Sequence, residues 1–144
     1  MSNPLLFRQH ALPMRPFITI EKRANEALEF YESVFPSFTL KSRTHHAEPH
    51  NDLVMVAVFS IQGQEIMISD SFISHEWKIN PGISFFADLQ SKETLENLAA
   101  SLSDGGKIHM PVGNYGFSSL FGWVEDKFGV NWQLNVQESV DTLD

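Results

Sequence analysis

The order of short elements along this chain constrains its fold more than any other feature. One strand, one helix and three strands are read in the first half, and the same order is read again in the second. Arg15-Pro16-Phe17-Ile18-Thr19-Ile20 opens the first set, a β-branched and aromatic run that suits a strand. Asn25 precedes a helical pattern in which Ala27, Tyr31, Val34 and Phe35 recur on one face, widened by Leu28 and Phe30. Glu26 and Glu29 fall in its first turns, where the helix dipole favours acids, and Pro36 stops it. Thr39 to Arg43, Leu53 to Phe59 and Ile66 to Ile68 read as strands, with Gln62-Gly63-Gln64 as a tight hairpin between the last two. In the second set, Ile83 to Ala87 reads as a strand. Ser91 caps a helix carrying Leu95, Leu98, Ala99 and Leu102 at i, i+3, i+4 and i+7, and Gly105-Gly106 ends it. Lys107 to Met110, Leu120 to Val124 and Trp132 to Val136 complete the set, with a turn at Asp126-Lys127-Phe128-Gly129 before the last.

A helix after one strand of each half, followed by a meander, predicts an α+β fold. Two βαβββ modules form curved mixed sheets, with helices on one face and a ligand cleft on the other. Module one is expected at about 14–78 and module two at about 79–137, inside a single domain over 14–144 that ends in a short tail. Residues 1–13 read as an N-terminal arm, in which Leu5, Leu6 and Phe7 are apolar without a core to serve and His10 is uninformative. The total of 144 residues suits one domain of ordinary size.

Composition removes several function classes. Hydrophobic residues make up 42% and charged residues 19%, enough for a packed core. Asp plus Glu number 18 against 10 Lys plus Arg, a net charge of −8. Such a surface repels phosphate backbones and anionic lipid, so no nucleic-acid or membrane partner is expected. The absence of cysteine removes disulfides, thiolate zinc sites, Fe–S clusters and a cysteine nucleophile, and it matches a reducing cytoplasm, the expected location. No apolar run approaches the ~18–20 residues of a membrane-spanning helix, and Met1 to Pro13 lacks the long apolar stretch of a secretory signal. The 12 Phe and 3 Trp ask for a rich core or an aromatic-lined pocket.

Three segments carry a resemblance. Pro16 to Ile20 with Glu26-Ala27-Leu28-Glu29-Phe30-Tyr31-Glu32-Ser33-Val34-Phe35, then Gly63-Gln64-Glu65-Ile66-Met67-Ile68-Ser69-Asp70, then Asp126-Lys127-Phe128-Gly129-Val130-Asn131-Trp132-Gln133 are similar to PhnB-like proteins. These carry the label of a demethylubiquinone methyltransferase-like domain. They form a branch of the glyoxalase/bleomycin resistance/dioxygenase (vicinal oxygen chelate) superfamily. The resemblance covers about residues 14–137. It implies the paired βαβββ fold and homodimers, but no single reaction, because the superfamily includes isomerases, dioxygenases, antibiotic-binding proteins and thiol transferases. Methyl transfer is not expected. No Gly-rich strand–turn–helix of the dinucleotide or S-adenosylmethionine type is found, since Gly105-Gly106 follows a helix rather than opening one.

The resemblance also implies where a divalent metal would be held, by ligands on four strands with positions left open for substrate oxygens. The first falls on Arg15 or Pro16, the second near Ser69 or Asp70, the third on Gly82 or Ser84 and the fourth on Gln133. At most two of the four positions carry a donor, Asp70 and Gln133, so no standard metal centre and no resident cofactor are expected. His45, His46 and His50, clustered with Glu48 in one polar loop, read as a solvated connection, as does His75 beside Glu76 and Trp77.

Candidate site residues follow from strand parity. His109 lies on the sixth strand, where a neutral imidazole can act as a base. Asp70, His109 and Gln133 are the candidate catalytic residues. Asn131, Gln133 and Asn135 alternate with Trp132, Leu134 and Val136, so the three amides are expected in the cleft. Phe17, Phe86, Phe121 and Trp123 are expected as its walls, with Thr19 and Ser84 as further ligand contacts. Taken together these features predict a protein that binds a small organic molecule without the standard metal. The alternatives are a metal-dependent glyoxalase-type lyase, isomerase or dioxygenase, and an interaction module whose cleft is filled by its own side chains.

Overall fold

A computed structural model describes residues 13–136 of the chain. The order of elements is β1 (Phe17–Glu21), α1 (Ala24–Val34), β2 (Thr39–His45), β3 (Val54–Ile61) and β4 (Gln64–Ser71), then β5 (Phe85–Leu89), α2 (Lys92–Ser103), β6 (Lys107–Gly113), β7 (Phe121–Glu125) and β8 (Asn131–Val136). Each half makes a four-stranded mixed sheet, ordered β1-β4-β3-β2 and β5-β8-β7-β6. The first strand of each sheet pairs in parallel with the last, Ile18 opposite Ile68 and Ala87 opposite Leu134. The remaining pairs are antiparallel. This is the α+β pair of βαβββ units that the element order predicts. Leu5, Leu6, Phe7 and His10 of the expected arm lie outside the described residues. Among the described residues, no helix is long and apolar enough to cross a membrane.

Local chemistry accounts for most boundaries. Gln62 and Gly63 both take positive φ, 52° and 81°, the geometry of a two-residue hairpin loop between right-twisted strands. Ser91 caps α2, its Oγ accepting the Thr94 N–H at 3.1 Å. Helix α1 differs from expectation. It starts at Ala24, ahead of Asn25, and its N-cap residue Arg23 makes no side-chain cap. The missing acceptor comes from β4, where Asp70 Oδ1 takes the Ala24 N–H at 2.9 Å. Asn25, inside the helix, bonds instead to the Asp52 carbonyl and to Arg43.

Alternate residues of the strands turn towards the helices and form one core spanning both halves, including Ile20, Phe59, Ile68, Leu89, Trp132 and Leu134. The link between the halves is made by α1. Tyr31 is fully buried; its ring stacks on Phe59 of β3 at 6.0 Å and meets Trp132 of β8 edge-on at 5.7 Å. The Tyr31 hydroxyl donates to Asp126 Oδ2 at 2.7 Å, and Trp132 Nε1 donates to the same oxygen at 3.0 Å. Asp126 Oδ1 accepts the N–H groups of Phe128 at 2.9 Å and Val130 at 3.0 Å. Around this buried carboxylate, Phe128 packs on Phe30 at 5.8 Å, the Arg23 guanidinium lies 4.5 Å over Phe128 and the Lys127 ammonium 4.9 Å over Phe30.

Burial pushes the Asp126 carboxyl above its ordinary value of 3.8, and its hydrogen bonds from Trp132, Tyr31 and the two amides pull it partly back. Burial, and then the nearby Asp126 charge, hold the Tyr31 phenol well above 10.0. Replacing Tyr31 with Phe should cost about 1.5–3 kcal/mol in urea unfolding, the worth of a hydrogen bond to a charged group. Asp126→Ala should cost more, because it strands buried donors at about 1–3 kcal/mol each. The pH dependence has a definite sign. The folded carboxyl titrates above 3.8, so its stabilising contribution is complete below that value and is lost as pH rises through the folded value. The stability margin of the native chain over Asp126→Asn should therefore narrow as pH rises across that window, which urea melts at a series of acidic pH values will read.

Candidate functional site

Strand register separates the faces of each sheet. On β1, Phe17, Thr19 and Glu21 stand opposite Met67, Ser69 and Ser71, away from the helices. In the second sheet, Phe86 is opposite Gln133, Trp123 opposite Gln133, Phe121 opposite Asn135 and Glu125 opposite Asn131, again on the helix-free side. The parity expected for Asn131, Gln133 and Asn135 is the one observed. Sequence reasoning passed over Glu125, although the alternation that selects Phe121 and Trp123 selects it too.

Asp70 requires a correction. It shares parity with Ile66 and Ile68, faces the helices and is 2% exposed. Oδ1 accepts Ala24 N–H and Oδ2 accepts Val54 N–H, both at 2.9 Å. The end of β4 lies beneath the first turn of α1, where free N–H groups need an acceptor and a negative charge is favoured. Asp70 therefore caps α1 and does not enter a cleft.

Two of the three amides are also committed. Asn131 is 1% exposed. Its Oδ1 accepts Trp123 Nε1–H at 3.0 Å, and its Nδ2 donates to the Gly129 carbonyl at 3.1 Å and to Glu125 Oε1 at 3.3 Å. Asn135 donates to Asp88 Oδ1 at 2.9 Å and accepts from Ser118. Gln133 Nε2 donates to Ser84 Oγ at 2.9 Å, and its Oε1 makes no bond among the described residues. Of the expected aromatic walls, Phe17 and Phe86 are exposed and Trp123 half-buried. Phe121 is buried beneath Phe117, Tyr115 and Phe86, at 5.0, 6.0 and 6.2 Å. It backs that surface and does not line it, because the 114–119 loop folds over its ring.

Two histidines of the expected 45–50 loop serve packing, while His45 is the exposed last residue of β2. His46 Nε2 donates to the Asp70 carbonyl at 2.9 Å, and His50 stacks on Phe72 at 4.1 Å. His75 bonds to Ser71 Oγ at 2.8 Å and stacks on Trp77 at 4.2 Å.

A groove of about 710 Å³ runs between β1 and the approach to β5, lined among others by Phe17, Thr19, Trp77, Ile83, Ser84 and Asn131. Ile83 and Trp77 are 73% and 56% exposed, so the walls carry free apolar surface. Both lie in the connection between β4 and β5: Trp77 has no hydrophobic period to mark it beforehand, and Ile83, read as the start of the fifth strand, precedes β5, which begins at Phe85. A second recess of about 530 Å³ shares Thr19, Trp77, Lys78 and Ile79 and reaches Glu21 and Glu125. Lys78 pairs with Glu21 and holds that carboxyl below 4.5. The larger groove thus brings together Phe17, Thr19, Ser84 and Asn131 of the expected set. Phe86, His109, Trp123 and Gln133 are not part of its lining, and Asp70 is on the opposite face.

The donors at the four expected metal positions do not fit a divalent transition metal. Arg15 is a cation paired with Glu65 at 3.3 Å, Pro16 and Gly82 have no donor side chain, and Asp70 is spent on backbone amides. Ser69, Ser84 and Gln133 remain, neutral oxygens where such a metal takes imidazole and carboxylate. Among the described residues, no group of three or more His, Asp or Glu side chains is placed to hold an ion. Asp70→Asn should lower stability by about 1–3 kcal/mol in metal-free urea unfolding. A residue held only as a metal ligand would leave that measurement unmoved.

Comparison with known proteins points one way. The 3-demethylubiquinone-9 3-methyltransferase family matches residues 13–135. The chain is similar to the PhnB protein from Bacillus cereus, at 33% identity over 88% of this chain and 100% of that one, with a TM-score of 0.82. It is 26% identical over 147 residues to Protein YjdN of Escherichia coli (strain K12), covering 91% of this chain and 99% of that protein. A glyoxylase/bleomycin resistance protein/dioxygenase domain from Frankia sp. EAN1pec shares the fold, with a TM-score of 0.66 at 12% identity over 90% of this chain and 94% of that one.

Proposed function

Because the chain belongs to the 3-demethylubiquinone-9 3-methyltransferase family, in the PhnB-like branch of the glyoxalase/bleomycin resistance superfamily, we propose that it binds a small organic molecule in the groove between β1 and β5 without the standard metal centre. The observation that carries this reading is the exposed apolar lining of that groove: Phe17, Trp77 and Ile83 are each more than half exposed beside the polar Thr19 and Ser84. An apolar hollow with a few fixed polar atoms is the usual form of a small-molecule site. Asn131 contributes through the fixed wall it builds, since its amide is already bonded. The membership assigns no reaction, and Gly105-Gly106 lies between α2 and β6, so the methyl transfer in the family's description is no part of the proposal.

The reading extends to a single functional unit over 14–144, to homodimers and to a cytoplasmic location. The resemblance and the apolar Leu5, Leu6 and Phe7 support the dimer; the absence of cysteine suits the cytoplasm.

A thermal-shift screen of small organic molecules tests the groove. A ligand at 100-fold its dissociation constant should stabilise the protein by about 2.7 kcal/mol, and Ile83→Asp should abolish the shift without unfolding the chain, since Ile83 is surface-exposed. Metal analysis of protein purified without chelator tests the rest. Stoichiometric zinc, nickel or manganese that is lost in Gln133→Ala would favour the metal-dependent alternative.

A further inference from the structure

We infer that His109 and Glu125 form a proton-transfer dyad on the helix-free face of the second sheet, with His109 Nδ1 as a general base. The inference goes beyond binding in the β1–β5 groove, and of that groove's lining it uses only Asn131.

Backbone geometry comes first. The β6–β7 register shifts between Ile108 and Met110: Ile108 is opposite Val124 and Met110 opposite Trp123, so His109 has no partner. A bulge of this kind re-aims the extra side chain. Here it brings His109 Nε2 to 3.0 Å from Glu125 Oε1. A carboxylate has no hydrogen to give, so in the neutral imidazole Nε2 is the donor and Nδ1 keeps the lone pair. Among the described residues Nδ1 has no hydrogen-bond partner.

Glu125 is itself held. Its Oε1 also accepts from Asn131 Nδ2 at 3.3 Å. The orientation of that buried amide is fixed twice over, because Trp123 Nε1 can only donate to it and the Gly129 carbonyl can only accept from it. The β7 backbone is pinned as well: a Cβ on Gly106 would stand 2.0 Å from the Glu125 carbonyl oxygen, so only glycine allows this approach of the two segments. Asn131 and Glu125 are positioning residues; His109 meets the ligand. A base oriented by a second group, which is oriented by a third, is the arrangement general-base catalysis uses.

The surroundings indicate the class of substrate. The His109 ring lies 5.2 Å from Trp123. Further along the same face stand Gln133, with its free Oε1, and the exposed Phe86. A flat or apolar carbon acid lying over Trp123 would present its acidic C–H to Nδ1. In the step, the Nδ1 lone pair takes the proton and the C–H electron pair stays with the ligand, either as a delocalised anion or to expel a leaving group. Glu125 stabilises the imidazolium until water or the ligand takes the proton back.

Two measurements test this, with the full chain and the probe nitrobenzisoxazole. Removal of its ring C–H by a base forms a nitrile, breaks the N–O bond and leaves the electron pair on a coloured phenoxide. The native protein should accelerate this reaction. His109→Gln should reduce the acceleration by about 100-fold, at the low end of what a placed base contributes, and Glu125→Ala should reduce it by about tenfold. Nitrogen NMR of histidine-labelled protein, recorded with the imidazoles neutral, should show the Nε2–H tautomer of His109 in the native chain and a mixture in Glu125→Ala. Thermal melts verify that both variants fold. An Nδ1–H tautomer in the native protein, no acceleration by the native chain, or an unchanged rate in His109→Gln would each overturn the dyad. A groove ligand found by thermal shift would survive any of those results, so the two proposals fail separately.

Discussion

The structure depends on one buried carboxylate. Asp126 sits at the turn before the last strand and holds four donors at once: two amides of its own turn, the indole of Trp132 and the phenol of Tyr31 from the other half of the chain. Burying a charge is unfavourable, and here burial outweighs the hydrogen bonds and holds the carboxyl above its ordinary value. What the carboxylate supplies is definition. Four donors converge on two oxygens in one geometry, and none can be left unpaired in the interior without a penalty. Helix α1 cannot rotate or slide over the second sheet without breaking that set.

Two of the segments that carry the resemblance are thereby explained as halves of a single contact. The aromatic stretch of α1 supplies Phe30, Tyr31 and Phe35; the closing stretch supplies Asp126, Lys127, Phe128 and Trp132. They meet as rings, a cation over a ring and a hydrogen bond. Residues fixed by such a contact identify the fold and say little about the reaction. The Bacillus cereus PhnB protein shares this architecture, with a TM-score of 0.82, while the surfaces proposed to meet a ligand lie on the opposite faces of the sheets.

Much of the fold was legible in the sequence because local signals agreed with tertiary ones. Ser91 is both a good cap and the actual cap, and the β8 alternation of Trp132 and Leu134 with Asn131, Gln133 and Asn135 predicts its faces correctly. The candidate site was legible only in part. Parity places Phe17, Thr19, Phe86 and Gln133 on open faces, but it does not reveal whether a polar group is already spent. Asp70 reads as a strand-end acid free to bind, and it caps a helix that begins 46 residues earlier. Asn131 reads as a free amide, and it is locked between Trp123, Gly129 and Glu125. Trp77 carries no period at all, and Ile83 reads as a strand residue but lies ahead of β5, so their place on the groove wall had no signature.

By itself, the sequence determined the order and nature of the elements, the faces of β1 and β8, the turn at Gln62-Gly63 and the shortage of metal-binding donors. These follow from side-chain period, backbone preference and donor chemistry, which are properties of residues and near neighbours. Tertiary structure alone decided that Asp70 turns from candidate ligand to helix cap, that Asp126 joins the two halves, and that a bulge at Ile108–Met110 turns His109 onto Glu125. Each of these depends on which groups meet across the fold. A carboxylate's role is set by the donors that surround it, and those donors come from segments that the linear sequence keeps far apart.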